Sequence, residues 1–224
     1  YIAYTMFTVG NGDFMPQGDF WQVLSSLVAF TGMGMVTLGI TYIFQVISAV
    51  TNKRAFASEV TGIGDSAEEF VTRQWTGGNF GAIELQLNSL SSQLAKLSEQ
   101  HMAFPILHYY HAAREEKSMD IAIAILDDSL SIIKYGFPDE KLPPETILRG
   151  ARKSIETFLT TVQKAFIQAS KNDPANPELS FLRDQGIRVK SDEEFHEGLK
   201  EVEKRRKLIL GLINNGAWDW PKNK

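Results

Sequence analysis

The sequence contains no cysteine, which excludes disulfides, thiolate metal sites and a cysteine nucleophile from this chain. It also has no excess of basic residues, because 23 lysines and arginines stand against 27 aspartates and glutamates. The formal net charge is therefore −4, and nothing in it indicates a surface for a polyanion. We expect no nucleic-acid partner.

Charge itself is nearly missing from the first part of the chain. Residues 1–52 contain only two charged side chains, Asp13 and Asp19. The 33 residues from Phe20 to Asn52 contain none, and a helix over most of them would reach roughly 45 Å. Because a bilayer core needs only about 20 residues, this run predicts a membrane-spanning helix.

The uncharged run ends at Lys53 and Arg54. Positive residues flank membrane helices on the cytoplasmic side, so we expect the following residues to be cytoplasmic. We also expect the membrane to be the plasma membrane. The chain starts at Tyr1 rather than Met, and no cationic start with a cleavage motif is present. We interpret it as a fragment or a processed product whose upstream part is missing.

Small and polar residues form one stripe along the predicted membrane helix, at intervals of three or four: Gly34, Thr37, Thr41, Gln45 and Ser48. In lipid, such a stripe lines an aqueous cavity or bonds across a helix interface, and both interpretations stay open here. Gly32 and Gly39 lie one heptad apart and would permit close packing or a bend.

Two glycines bracket a single residue just before this helix, in the segment Thr8-Val9-Gly10-Asn11-Gly12-Asp13. Glycine adopts backbone conformations that other residues avoid, so successive carbonyls can point toward one axis. Four copies around that axis would form stacked oxygen rings that replace the hydration shell of a monovalent cation. A short apolar helix over residues 1–7 would direct its C-terminal carbonyls at the cation. The alternative is a structural turn at the end of a membrane hairpin.

This segment resembles the signature filter of tetrameric potassium channels, Thr-Val-Gly-Tyr-Gly-Asp, and the resemblance covers residues 1–55. It implies a homotetrameric channel in the lipid bilayer that is not an enzyme and needs no cofactor beyond the permeant potassium ions. The implied filter comprises Thr8, Val9, Gly10, Asn11 and Gly12, supported by Asp13. In the inner helix, the resemblance places a hinge at Gly32 and cavity-lining positions at Gly34, Thr37 and Thr41.

Asn11 departs from the family pattern, which has an aromatic residue at that position. The pattern from Thr8 to Phe20 is also similar to bacterial channels that pass sodium and potassium alike and carry Asp at the Asn11 position. Asp13, however, is the residue of the selective branch. We therefore expect a potassium-selective or potassium-preferring channel. The alternatives are a non-selective monovalent cation channel and a non-conducting membrane-anchored scaffold or sensor.

The rest of the chain has the pattern of an all-helical cytosolic domain. Residues 55–80 contain glycine clusters at 62–65 and 77–79, which predict a linker broken by a short helix around 66–75. Apolar residues four and three apart then predict a helix that Pro105 ends: Ile83, Leu87, Leu90, Leu94, Leu97, His101 and Phe104. This heptad pattern fits either packing within the chain's own bundle or a coiled coil between four chains.

Further helices are expected at residues 117–135, 144–171 and 192–214, with Ser191 and Glu194 as a capping box. No alternating strand pattern is present. The predicted class is all-α, with a pore helix, filter and inner membrane helix over 1–54, a linker over 55–80 and a helical cytosolic domain over 81–224. That domain would assemble the subunits or regulate the pore.

The charged side chains of this domain give weak functional signals. His108 and His111 lie one turn apart, which suits metal ligation, but a packing face of aromatic residues and hydrogen-bonded histidines is the simpler interpretation. We expect Asp127-Asp128 and the basic run 204–207 to be solvated helix faces. No pattern indicates catalytic chemistry.

Overall fold

The computed structural model describes residues 1–10, 13–165 and 167–221. Over these residues the chain is built from helices and loops without a strand, which confirms the predicted all-α class. Two compact units divide the chain, Tyr1–Ser48 and Ala49–Lys224. The second helix belongs to both, because it starts in the first unit and ends in the second.

The first unit contains the short helix α1 (Ile2–Met6) and most of the long helix α2 (Asp19–Ile63). At 1.5 Å per residue, the 45 residues of α2 extend over roughly 68 Å. Its length and apolar composition suit a membrane crossing, and little of its most apolar stretch is buried. Large apolar side chains such as Phe20, Phe30 and Leu38 are exposed. An apolar surface of this size needs lipid or protein around it.

The second unit begins inside α2, where Ala49, Phe56, Ala57 and Val60 are buried. The first part of the predicted linker over 55–80 is helical instead, because α2 continues through Ile63. The short helix predicted near 66–75 is present as α3 (Ala67–Gln74), capped by the Ser66 hydroxyl, which accepts from the Glu69 N–H. Apolar burial of this segment outweighs its glycine signals.

Helix α4 (Ile83–Ala103) buries the predicted heptad positions from Ile83 to Leu97 and packs on α6 (Glu145–Ala165). The Ser98 and Thr161 hydroxyls lie 2.9 Å apart across these two helices. The heptad pattern therefore serves the chain's own bundle.

The core of the second unit is α5 (Met119–Ser131), which continues as a π-turn over Ile132–Gly136. The remaining helices are α7 (Ser180–Asp184), α8 (Asp192–Leu199) and α9 (Glu203–Asn215). Helices α3, α6 and α9 all pack against α5. The predicted capping box of Ser191 and Glu194 is present at the start of α8.

Candidate ion pathway

Helix α1 ends in a Schellman motif that contains the first filter residues. The Val9 N–H donates to the Tyr4 carbonyl at 3.0 Å, and the Thr8 N–H donates to the Thr5 carbonyl at 3.2 Å. Thr8 occupies the left-handed position of this motif, with φ of 56°. Glycine is the usual residue there, since a β-branched side chain is strained in that region.

Gly10 also has a left-handed backbone, with φ of 77°, and no atom would contact a Cβ placed on it within 4 Å. Two left-handed residues with Val9 between them give this loop the irregular backbone that the sequence predicts. Asn11 and Gly12, the other two predicted filter residues, lie outside the described residues. Asp13, the predicted filter support, follows in a turn with its side chain exposed.

Gly32 holds α1 against α2. A Cβ on Gly32 would lie 2.7 Å from the Met6 carbonyl carbon and would overlap the Met6 carbonyl oxygen. The last turn of α1 therefore packs on α2 only because this position lacks a side chain. Since α2 is one uninterrupted helix, the hinge at Gly32 stays a prediction. Close packing was one of the two predicted roles of Gly32 and Gly39, the other being a bend, and the structure shows close packing at Gly32.

The two threonine hydroxyls of the predicted cavity stripe donate hydrogen bonds to backbone carbonyls of α2. Thr37 donates to the Met33 carbonyl at 2.8 Å, and Thr41 donates to the Thr37 carbonyl at 2.9 Å. These bonds lower the cost of placing hydroxyls in an apolar environment, while their oxygens can still accept from water. A Cβ added to Gly34 would have no atom within 4 Å. The stripe is thus open to a cavity or to a neighbouring helix.

An apolar cleft of about 420 Å³ lies between α1, the loop after the filter and the first turns of α2. It is lined by apolar side chains that include Ile2, Phe14, Met15, Trp21 and Leu24. The Tyr1 hydroxyl and the Ser25 hydroxyl lie 3.0 Å apart beside it. Its lining suits an apolar helix or lipid rather than a charged ligand.

Residues 1–49 match the family model described as "Ion channel". The chain is also 39% identical, over 221 residues, to the "Uncharacterized membrane protein YdjJ" of Bacillus subtilis (strain 168). That alignment covers 99% of this chain and 65% of the relative, so the chain spans slightly less than two thirds of the relative's length. No solved structure matches. These findings support a membrane location for this chain, and they make its first unit similar to ion channels.

Within the second unit, a carboxylate connects the end of α2 to α4. Glu59 accepts from Gln86 Nε2 at 2.9 Å and from Ser89 Oγ at 3.0 Å, and its other oxygen accepts from Gln93. The three donors lie on one face of α4, so Glu59 fixes α2 to α4. Sequence reasoning missed this cluster because its partners are some thirty residues apart.

Two ion pairs lie between α5 and α9, one fully buried and one with a partly exposed arginine. Asp128 accepts from Arg206 Nε at 2.9 Å and from Trp220 Nε1 at 3.2 Å. Burial raises the pKa of Asp128 to about 6, although Arg206 acts in the opposite direction. Arg205 Nε lies 2.7 Å from Asp127 Oδ1, but the pair is not aligned as a hydrogen bond. The prediction of solvated helix faces was wrong at Asp127, Asp128 and Arg206, because these side chains are buried. Lys204, in the same basic run, is exposed as predicted.

Two histidines, His101 and His108, have hydrogen-bonding neighbours in the protein. His108 Nε2 lies 3.0 Å from the Asn215 amide nitrogen, and His101 Nδ1 lies 2.9 Å from the Leu97 carbonyl oxygen. Burial lowers the pKa of His101 to about 4, and its ring packs edge-on against Phe158. Within the described residues, no group of three or more His, Asp or Glu could hold a metal ion. Metal ligation by His108 and His111 stays an untested prediction.

Proposed function

We propose that this chain is one subunit of a homotetrameric, potassium-preferring cation channel of the plasma membrane. Its ion path runs through the filter, Thr8 to Gly12, and along an inner cavity beside Gly34, Thr37 and Thr41. The second unit is a cytoplasmic helical domain that controls α2. The permeant ions are the only ligands that this function requires.

The observation that carries the proposal is the left-handed backbone of Thr8, the first filter residue, at the end of α1. Thr8 is left-handed although threonine is strained there by roughly 1–2 kcal/mol. Strain of this kind persists where the surroundings impose it, and it concentrates at functional sites. The loop has the sequence Thr-Val-Gly-x-Gly-Asp, which resembles a potassium-channel filter. In such a filter, the carbonyls of the loop would bind dehydrated cations.

Electrostatics in the first unit also favour a cation. The carbonyl end of α1 leads directly into Thr8, and helix C-termini carry partial negative charge. The only charged side chains up to Asn52 are Asp13 and Asp19, both acidic. A cation approaching this loop therefore meets no positive side chain.

Control of the pore by the second unit is supported by the continuity of α2. The same helix carries the stripe of Thr37 and Thr41 and then enters the core of the second unit at Phe56 and Val60. The Glu59 cluster fixes that end to α4. A rearrangement in the second unit would move α2 and so change the width of the inner cavity.

The test compares potassium flux into liposomes for two glycine variants of the full-length protein. Gly10→Ala and Gly18→Ala each place a methyl group on a left-handed glycine with no atom within 4 Å of the new Cβ, but only Gly10 lies in the filter. We expect Gly10→Ala to abolish flux and Gly18→Ala to retain it. Equal flux in both variants would refute the proposal that this loop is the ion filter. Absence of flux in every form, with tetramers present, would favour the non-conducting scaffold.

A further inference from the structure

Four large apolar or aromatic residues are exposed within a short stretch of sequence, where α4 ends and a 3-10 turn, Pro105–Tyr109, begins: Met102, Ile106, Tyr109 and Tyr110. We name them the tyrosine patch. Between 42% and 65% of each residue's surface is exposed. Most large apolar residues of the second unit are buried, so this concentration of exposed ones in nine residues is unusual for a soluble surface.

The tyrosine patch is attached to α2 by backbone carbonyls. Lys53 Nζ donates to the Leu107 carbonyl at 3.2 Å and to the Tyr110 carbonyl at 3.1 Å. One residue earlier, Asn52 Nδ2 donates to Gln100 Oε1 at 3.3 Å. The segment carrying the patch therefore lies beside positions 52 and 53 of α2.

Positions 52 and 53 are where the uncharged run of α2 ends. If α2 crosses the bilayer, Lys53 is the first charged residue after the hydrocarbon region and lies at the level of the lipid headgroups. Its two carbonyl partners must lie at that level as well. Lys117 and Glu116 contact α2 lower down, at Ser58 and Thr61, so those parts of the loop lie farther from the membrane.

The chemistry of the tyrosine patch suits that level. Tyrosine is enriched at membrane interfaces because its ring is apolar and its hydroxyl reaches water and headgroups. Met102 and Ile106 add apolar surface that can enter the edge of the acyl region. Arg54 is exposed beside this segment and can pair with anionic headgroups.

We propose that the tyrosine patch docks onto the lipid bilayer and anchors the second unit at the membrane surface beside α2. The occupant is the headgroup and upper acyl region of phospholipids. The inference rests on α2 crossing the membrane, and it stands whether or not the protein conducts ions. A second copy of the chain is a weaker occupant, since four side chains offer far less than the roughly 800 Å² per partner of a specific interface.

The test uses single cysteines, which are unique within this chain because it has none. Met102→Cys, Tyr109→Cys and Leu85→Cys are each labelled with an environment-sensitive fluorophore in the full-length protein. The protein is then reconstituted into vesicles of phosphatidylcholine and phosphatidylglycerol. Leu85 is the matched control: it is apolar, 80% exposed and also in α4, but it lies 17 residues before Met102, roughly 25 Å along the helix.

We expect lipids with a quencher near the headgroup to reduce the emission of labels at 102 and 109, and to leave the label at 85 unchanged. Iodide in the buffer should quench position 85 more than the other two. Quenching of all three positions by iodide alone would overturn the proposal, because the patch would then be in water. Shielding of 102 and 109 from both quenchers would also overturn it and indicate a protein partner.

A second variant guards against effects of the label itself. Tyr109→Ser with Tyr110→Ser, combined with the label at 102, should reduce lipid quenching at 102 while the protein remains folded by circular dichroism. Unchanged quenching at 102 would mean that the tyrosines do not hold the segment on the bilayer.

Discussion

Gly32 and Met6 are in direct backbone contact, so close that a Cβ on Gly32 would overlap the Met6 carbonyl oxygen. This contact positions the carbonyl end of α1, and with it the start of the filter at Thr8. A helix of five residues is unstable alone in water, so α1 depends on its packing partner. The position of the proposed filter therefore depends on the absence of a side chain at Gly32.

Gly32→Ala should detach the last turn of α1 from α2. Overpacking of this kind costs about 1–3 kcal/mol, which corresponds to roughly fivefold to 150-fold faster amide exchange in α1. The measurement is hydrogen exchange of the Thr8 and Val9 amides, which donate to α1 carbonyls. Potassium flux should fall in the same variant.

Gly39→Ala is the control for this prediction, since Gly39 lies one heptad later in α2 with no atom within 4 Å of a new Cβ. Its amide exchange and flux should resemble those of the unmodified protein. Equal exchange in both variants would show that Gly32 does not position α1. Changed flux with unchanged α1 exchange in Gly32→Ala would instead favour the hinge.

Glu59→Gln should weaken the connection between α2 and α4. An amide in place of the carboxylate turns an NH₂ group toward donors from Gln86 or Gln93, so at least one hydrogen bond is lost. We expect a loss of about 1–3 kcal/mol in the unfolding free energy of the second unit, measured by denaturant titration. Glu99→Gln, an exposed residue of α4, should have little effect. Comparable losses in both variants would contradict the account.

The pattern of the sequence predicts local structure better than distant pairing. Apolar spacing places α4 and its end at Pro105, because Ile83 to Leu97 all face one buried side. Ser191 and Glu194 predict the start of α8 because a capping box is complete within four residues. Both features depend only on near neighbours, so a single sequence contains them.

The features that the sequence did not predict depend on contacts between residues far apart in the chain. Phe56 and Phe70 are fully buried, yet the glycines around them resemble a linker, and only packing in the second unit makes these segments part of its core. Asp128 and Arg206 pair across 78 positions, and no local pattern indicates their burial. For the filter, the motif indicates the left-handed backbone at Gly10, but the one at Thr8 becomes visible only in the structure.

Removing one member of the buried pair between α5 and α9 should strongly destabilise the second unit. Arg206→Ala leaves the Asp128 carboxylate buried with Trp220 as its remaining partner, at a cost of about 3–5 kcal/mol. The thermal midpoint should fall by on the order of 10 °C. Arg183→Ala, which breaks the exposed pair with Asp192, should cost less than about 1 kcal/mol. A small effect of Arg206→Ala would show that the pair contributes little to the stability of the second unit.

His101 should make the second unit less stable in acid. Burial lowers its pKa from 6.5 to about 4, so the unfolded chain binds a proton that the folded chain excludes between these values. Stability is therefore lost as pH falls from about 6.5 toward about 4. Asp128, whose pKa is raised to about 6, contributes in the opposite direction over a similar window.

Thermal midpoints of His101→Phe across this pH range isolate the histidine contribution, because Asp128 is unchanged in the variant. The decline of the midpoint toward low pH should be shallower than in the unmodified protein. His196→Phe, which replaces an exposed ring, serves as the control. Parallel pH profiles for the unmodified protein and His101→Phe would refute this assignment.

If the proposed function is right, cations cross the membrane through the filter of this chain, with potassium preferred. The most direct test is flux through the unmodified full-length protein in liposomes, driven in turn by potassium and by sodium gradients. We expect potassium flux that clearly exceeds sodium flux, despite Asn11 in the filter. Equal flux would assign the protein to the non-selective cation channels. Absence of flux with either ion, in vesicles shown to contain tetramers, would contradict the proposed function.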